Sequence, residues 1–101
     1  MKDKSNLRRE DLEQAENALF EAIVTLQTSS ECADFFRDLC TPAELQALVD
    51  RWAVVGLLLD GLTYRDISAR TGVSVTTIGR VARFLSDGYG GYRRVIERIT
   101  D

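Results

Sequence analysis

Apolar residues recur along this chain at three- and four-residue spacing almost throughout, and period-two alternation of β-branched residues is nearly absent. The pattern therefore predicts helices from end to end. The first carries Leu12, Ala15, Leu19, Ala22, Ile23 and Leu26 as one stripe, with Glu13, Glu16, Asn17 and Glu21 opposite. "TSSE" at Thr28–Glu31 reads as a capping box opening a second helix with Cys32, Phe35, Phe36, Leu39 and Cys40 on its inner side. "TPAE" at Thr41–Glu44 is a stronger start, with Thr41 suited to N-cap and Pro42 to the first helical position. The helix it opens bears Leu45, Leu48, Val49, Trp52, Val55 and Leu59. From Trp52 onward it is apolar nearly all round, which predicts the central, most buried helix, ended by Gly61.

Two shorter helices follow. Thr63 and Asp66 cap a two-turn segment centred on Ile67, Gly72 breaks it, and Ser74 caps the next. Ile78, Val81, Ala82 and Leu85 form the inner face of that next helix, and Thr76, Gly79, Arg80 and Arg83 lie opposite, with no acid among them. "DGYGGYRR" at Asp87–Arg94 makes the last break before a helix over 92–100 with Tyr92, Val95, Ile96 and Ile99. Six helices result, without repeats, so the expectation is an all-α fold in a single domain spanning 1–101.

Length and composition narrow the class. A chain of 101 residues is about one domain, and its apolar and charged fractions are those of an ordinary soluble protein. The longest apolar run, Trp52 to Leu59, is too short to span a bilayer. "MKDKSNLRREDLEQ" has no apolar core of a secretory signal, so a cytoplasmic protein with no membrane partner is expected. There is no histidine, which removes the common zinc sets and the Ser-His and Cys-His pairs. Cys32 and Cys40, eight apart on one helical face, read as small core residues too far apart to bridge. No metal site, no firm cofactor site and no enzyme is expected.

Charge sharpens the picture. Residues 1–60 hold twelve acids and six bases, a balance of −6, whereas residues 61–101 hold seven arginines and four acids, a balance of +3. A basic half joined to an acidic half suggests one face for phosphate and another for something else.

The segment 63–85 has what a helix-turn-helix needs: a short first helix, a glycine free to take positive φ, an apolar Val73 under the turn, and a capped second helix. Ser74 as N-cap leaves that helix's first backbone N–H groups free to meet phosphate, with Val75 and Thr77 beside it. Arg80 and Arg83 could bond guanine edges or phosphate, and Thr76 a base edge, with Gly79 between them. Thr63, Tyr64 and Arg65 at the start of the first motif helix are candidates for phosphate contact. The candidate DNA-binding set is these residues on both helices.

From Thr41 to Leu85 the chain resembles the core of the bacterial tryptophan repressor family, above all its TrpR-like YerC/YecD-type branch. The resemblance rests on the "LCTPAE" start followed by Arg51, on the apolar central helix ending Leu-Leu-Asp-Gly, and on "SVTTIGR". It implies a six-helix TrpR-like fold in an intertwined homodimer, with 1–60 mainly the dimerisation core and 63–85 the DNA-reading head. The stripe from Leu12 to Leu26 would then be covered by a second copy, the alternative being burial in a monomeric bundle. Function by resemblance is a sequence-specific transcriptional regulator, a repressor, on palindromic double-stranded DNA with half-sites about 34 Å apart.

The resemblance also implies an effector cleft, with Arg51 and Arg80 at the positions of the ligand-contacting arginines and Thr41 and Thr77 nearby. Here the sequence departs from the family. Val81 and Phe84 stand where tryptophan-binding members carry glycine and serine, so both would project into the cleft, fill it, and argue against L-tryptophan. A smaller or differently shaped effector stays open. The competing reading is a protein-interaction module in which the helix-turn-helix is only a scaffold. An RNA-binding domain lacks a regular aromatic platform, Tyr89 and Tyr92 beside Arg93 and Arg94 being the nearest thing.

Overall fold

The computed structural model describes residues 4–100, with side chains from Arg8 onward. The first three residues and the last residue of the expected 1–101 domain lie outside that part, as do the side chains of residues 4–7 in the N-terminal segment read for a signal. Six helices follow in order: α1 (Lys4–Ile23), α2 (Ser29–Leu39), α3 (Pro42–Leu59), α4 (Tyr64–Thr71), α5 (Val75–Asp87) and α6 (Gly91–Thr100). The described residues contain no strand, and the fold is all-α. None of these helices is long and apolar enough to cross a membrane.

The chain forms two compact units that divide after Thr41. The first holds α1 and α2. α1 stops at Ile23, three residues short of the end of its apolar stripe. The β-branched pair Val24-Thr25 disfavours continuation, and the backbone tightens there: Thr25 and Leu26 donate to the carbonyls of Ala22 and Ile23 at 3.1 Å. Thr28 then caps α2, its hydroxyl accepting from the Glu31 amide at 3.1 Å. The Glu31 carboxylate reaches back to the amide of Gln27 rather than to the cap residue itself. Cys32 and Cys40 are free thiols, half-buried rather than interior. Leu12 and Phe20 are exposed, and α2 has no buried residue.

The second unit, α3 to α6, has a true interior. Its core is Val54 and Val55 from α3, Ile67 from α4, Val73 in the turn, and Ile78, Val81 and Leu85 from α5. α3 contacts both α4 and α5, so it is central, as its composition predicts. It is grouped with 1–60 in the sequence reading, yet it packs on the helix-turn-helix. Its burial is narrower than its composition suggests: of the six residues in its stripe only Val55 is interior, while Leu48, Val49, Trp52 and Leu59 are exposed. Being apolar all round does not decide which side faces inward. The β-branched pair at 54 and 55 does, because Ile67 and Ile78 meet it there.

Local chemistry accounts for the joints. Gly61 (φ +86) ends α3 in a Schellman arrangement, the Leu62 amide donating to Leu57 O and the Gly61 amide to Leu58 O. Thr63 caps α4 by accepting from the Asp66 amide at 3.1 Å. Gly72 closes α4 with φ +76 and donates to Ser68 O, a left-handed cap that a residue with Cβ takes only at a cost.

Candidate nucleic-acid interface

The helix-turn-helix is assembled from short-range bonds. Thr71 donates its hydroxyl to Ile67 O at 2.7 Å and receives the Val73 amide at 3.1 Å, so one side chain stitches the end of α4 to the turn. Val73 is buried beneath it. Ser74 then caps α5, accepting from the Thr77 amide at 3.1 Å, with its hydroxyl also 3.1 Å from that of Thr77. Those bonds fix the entry of α5, whose inner face (Ile78, Val81 and Leu85) is fully engaged in the core. Whatever α5 presents outward is therefore held on a rigid element.

The candidate DNA-binding residues sit as follows. Thr63, Tyr64 and Arg65 are exposed at the start of α4, and Ser74, Val75 and Thr76 are exposed at the start of α5. Thr77 is half-buried through its cap bonds. Gly79 is half-buried too, and a Cβ built there would rest 3.9 Å from the Tyr64 ring, an ordinary contact. Arg83 is exposed. α5 runs two residues beyond Leu85, which the outer-face reading did not include. By helical spacing this puts Asp87 one turn beyond Arg83 on the same side. The face is thus free of acid from Thr76 to Arg83 and turns acidic only at its last residue.

Arg80 behaves differently from Arg83. Its guanidinium carbon lies 4.7 Å from the centroid of the Phe84 ring, a cation–π contact along one turn of α5. It also lines a cleft of about 580 Å³ together with Phe84, with Arg51 and Trp52 of α3, and with Tyr89, Tyr92 and Val95 at the α6 end. The structure thus brings together Arg51, Arg80 and Phe84 of the expected effector set. It does not bring Val81, which is 1% exposed and belongs to the core. Thr77 is spent on the cap, and Thr41 belongs to the other unit. Of the two residues expected to fill the cleft, Phe84 lines it and Val81 does not. Val81 turns inward because the α5 core face runs through it, and Phe84 forms a wall and leaves the space open.

The sequence reading missed Trp52, Tyr92, Gly88, Tyr89 and Gly91 as parts of this cleft. Trp52 and Tyr92 pair at 6.4 Å between ring centroids, tilted by 39°. The only signal for this was that both are large aromatics at the edge of an apolar stripe, which does not reveal that two helices forty residues apart meet.

Capped helices, a glycine turn and an outward basic face define the second unit as a helix-turn-helix of the kind that reads a DNA groove. The family follows from comparison with known proteins. The model of the Trp repressor protein family matches residues 14–100, and the chain belongs to that family. It is 40% identical over 95 residues to the uncharacterized protein YerC of Bacillus subtilis (strain 168), covering 94% of this chain and 88% of that protein. Among solved structures it is similar to a TrpR-like protein from Eubacterium eligens ATCC 27750, with a TM-score of 0.82, 45% identity, and 86% of this chain and 90% of the other covered. It is also similar to a Staphylococcus aureus protein described provisionally as a Trp repressor, with a TM-score of 0.80, 37% identity, and coverage of 99% and 96%.

Proposed function

We propose that this protein is a sequence-specific, DNA-binding transcriptional regulator, a repressor by kinship, working as a homodimer on a palindromic operator in the cytoplasm. The observation that carries this reading is the outer face of α5. It presents Thr76, Gly79 and Arg83 without an acid over its first three turns, on a helix locked by its cap and its core face. Solvated helix surfaces ordinarily mix acids with bases, whereas an acid on a groove-reading face is repelled by phosphate unless it meets a cytosine amino group. The exposed Leu12 and Phe20 of α1 support the second copy, because a two-helix unit with so little interior leaves apolar surface for another chain to cover.

The test is selection of bound duplexes from a random pool with the purified protein. The expected result is an enriched palindrome with half-site centres about one helical turn apart. Enrichment of a single unpaired half-site would remove the dimer. No enrichment at all would favour the interaction-module reading.

The cleft is the candidate effector site. Its volume falls within the range of small-molecule sites, roughly 300–1,000 Å³, and two guanidiniums among aromatic rings suit an anionic ligand. L-Tryptophan is not the expected occupant, because the Phe84 ring already covers one face of Arg80. Isothermal titration with L-tryptophan should show no saturable heat at micromolar concentrations. A micromolar dissociation constant would overturn this.

A further inference from the structure

We infer that Arg93 of α6 is a positioning residue for the recognition helix, setting the pose of α5 by holding its C-terminal end. This rests on the proposal that α5 reads DNA. The last four carbonyls of a helix have no partner within it, and α5 supplies little of its own to satisfy them. It has no basic residue in its last turn and ends on Asp87, whose charge opposes the negative end of the helix. The Gly88 amide takes Phe84 O at 2.9 Å. The next carbonyl, that of the buried Leu85, is met from another helix: Arg93 Nε donates to it at 3.3 Å. A cation thus sits where the end of α5 lacks one.

Arg93 is exposed, and two further features make its bond to α5 a strut rather than an isolated contact. First, the connection between α5 and α6 has little freedom. A Cβ built on Gly88 would overlap the carbonyl of Phe84, and Gly90 has φ +80, so the chain turns back through positions suited to glycine. Second, the residue beside Arg93 faces a different helix. Tyr92 is half-buried against the core and pairs with Trp52 of α3. Adjacent residues of α6 therefore grip α3 and the end of α5. α6 itself has no fully buried residue, so these grips and the packing of Ile96 are what locate it. Loosening Arg93 leaves the core of the second unit intact but frees the far end of the reading helix to tilt.

The experiment compares the full-length protein with R93A and R93K. Three quantities are read for each: affinity for the selected operator and for a random duplex over a range of salt, thermal midpoint, and hydrogen exchange at the Gly88 amide. Expected for R93A is about a tenfold loss on the operator, with random-duplex affinity within about twofold, an unchanged salt slope and faster Gly88 exchange. R93K, which keeps a donor and the charge, should retain most operator affinity. Equal losses on both duplexes with a shallower salt slope would make Arg93 a phosphate contact instead. A lowered thermal midpoint with unchanged operator affinity would make it merely structural, and either outcome overturns the inference. Failure of the parent reading looks different: the unmutated protein would not distinguish operator from random DNA.

Discussion

Ile78→Ala is expected to lower the stability of the second unit by about 2–5 kcal/mol, the usual cost of truncating a fully buried isoleucine. Ile78 is 0% exposed and belongs to the small core with Val54, Val55 and Ile67. It is thus the point where the recognition helix is joined to both α3 and α4. The cost combines lost transfer free energy with a void that fixed neighbours cannot close, since three helices converge there and each is pinned by its own cap. Against a total of about 5–15 kcal/mol for a typical domain, one such change consumes much of the margin. Val75→Ala on the same helix is the control. Val75 is 54% exposed, and surface changes of this kind stay within about 0.5 kcal/mol. Urea unfolding of both variants measures the contrast. A loss under about 1 kcal/mol for Ile78→Ala would mean that α5 is not seated as described.

That contrast also marks what is legible in the sequence. The joints can be read residue by residue, because each is made by neighbours in the chain. Thr63 with Asp66, Ser74 with Thr77 and Gly72 with Ser68 form their bonds within one turn, so the amino-acid types announce the geometry. The inner face of α5 is legible for a related reason. Its apolar stripe is narrow, and only one side can be buried. α3 is the counter-example: with apolar residues on every side, its pattern carries no direction, and Trp52 stays 39% exposed while Val54 is 0%. The cleft lay further still from view. It depends on how α6 folds back through Gly88 and Gly90 and on the pairing of Trp52 with Tyr92, contacts between residues far apart in the chain. The sequence assigns Val81 both to the inner face of α5 and to the cleft, and only the inner-face assignment holds. Spacing alone puts it midway between the core side and the Phe84 side of α5, and packing against Val54 and Val55 decides for the core.

Arg83→Ala should weaken binding to the selected operator by about 1–3 kcal/mol, or roughly five- to 150-fold at 1.4 kcal/mol per factor of ten. It should also relax discrimination at one base position. Arg83 is exposed and makes no ring contact among the described residues, so its fork is available to a guanine edge or a phosphate. Arg80 starts from a different position, although periodicity gives the two residues the same face. To reach a base it must leave the Phe84 ring, forfeiting a cation–π contact worth about 0.5–1 kcal/mol at an exposed site. Arg80→Ala is therefore expected to cost less at the operator than Arg83→Ala and to leave base preference unchanged. Phe84→Leu, which releases the guanidinium, should narrow the gap between them by making Arg80 available to DNA. Titrating the three variants against the operator and its single-base substitutions resolves the assignment. An Arg80→Ala loss as large and as base-specific as that of Arg83→Ala would place both arginines in the groove and leave Arg51 as the only guanidinium of the cleft when DNA is bound. The predicted inequality instead keeps Arg80 on the wall it shares with Phe84. There, a ligand entering the cleft would meet the reading helix one turn from Arg83, the residue proposed to touch the base.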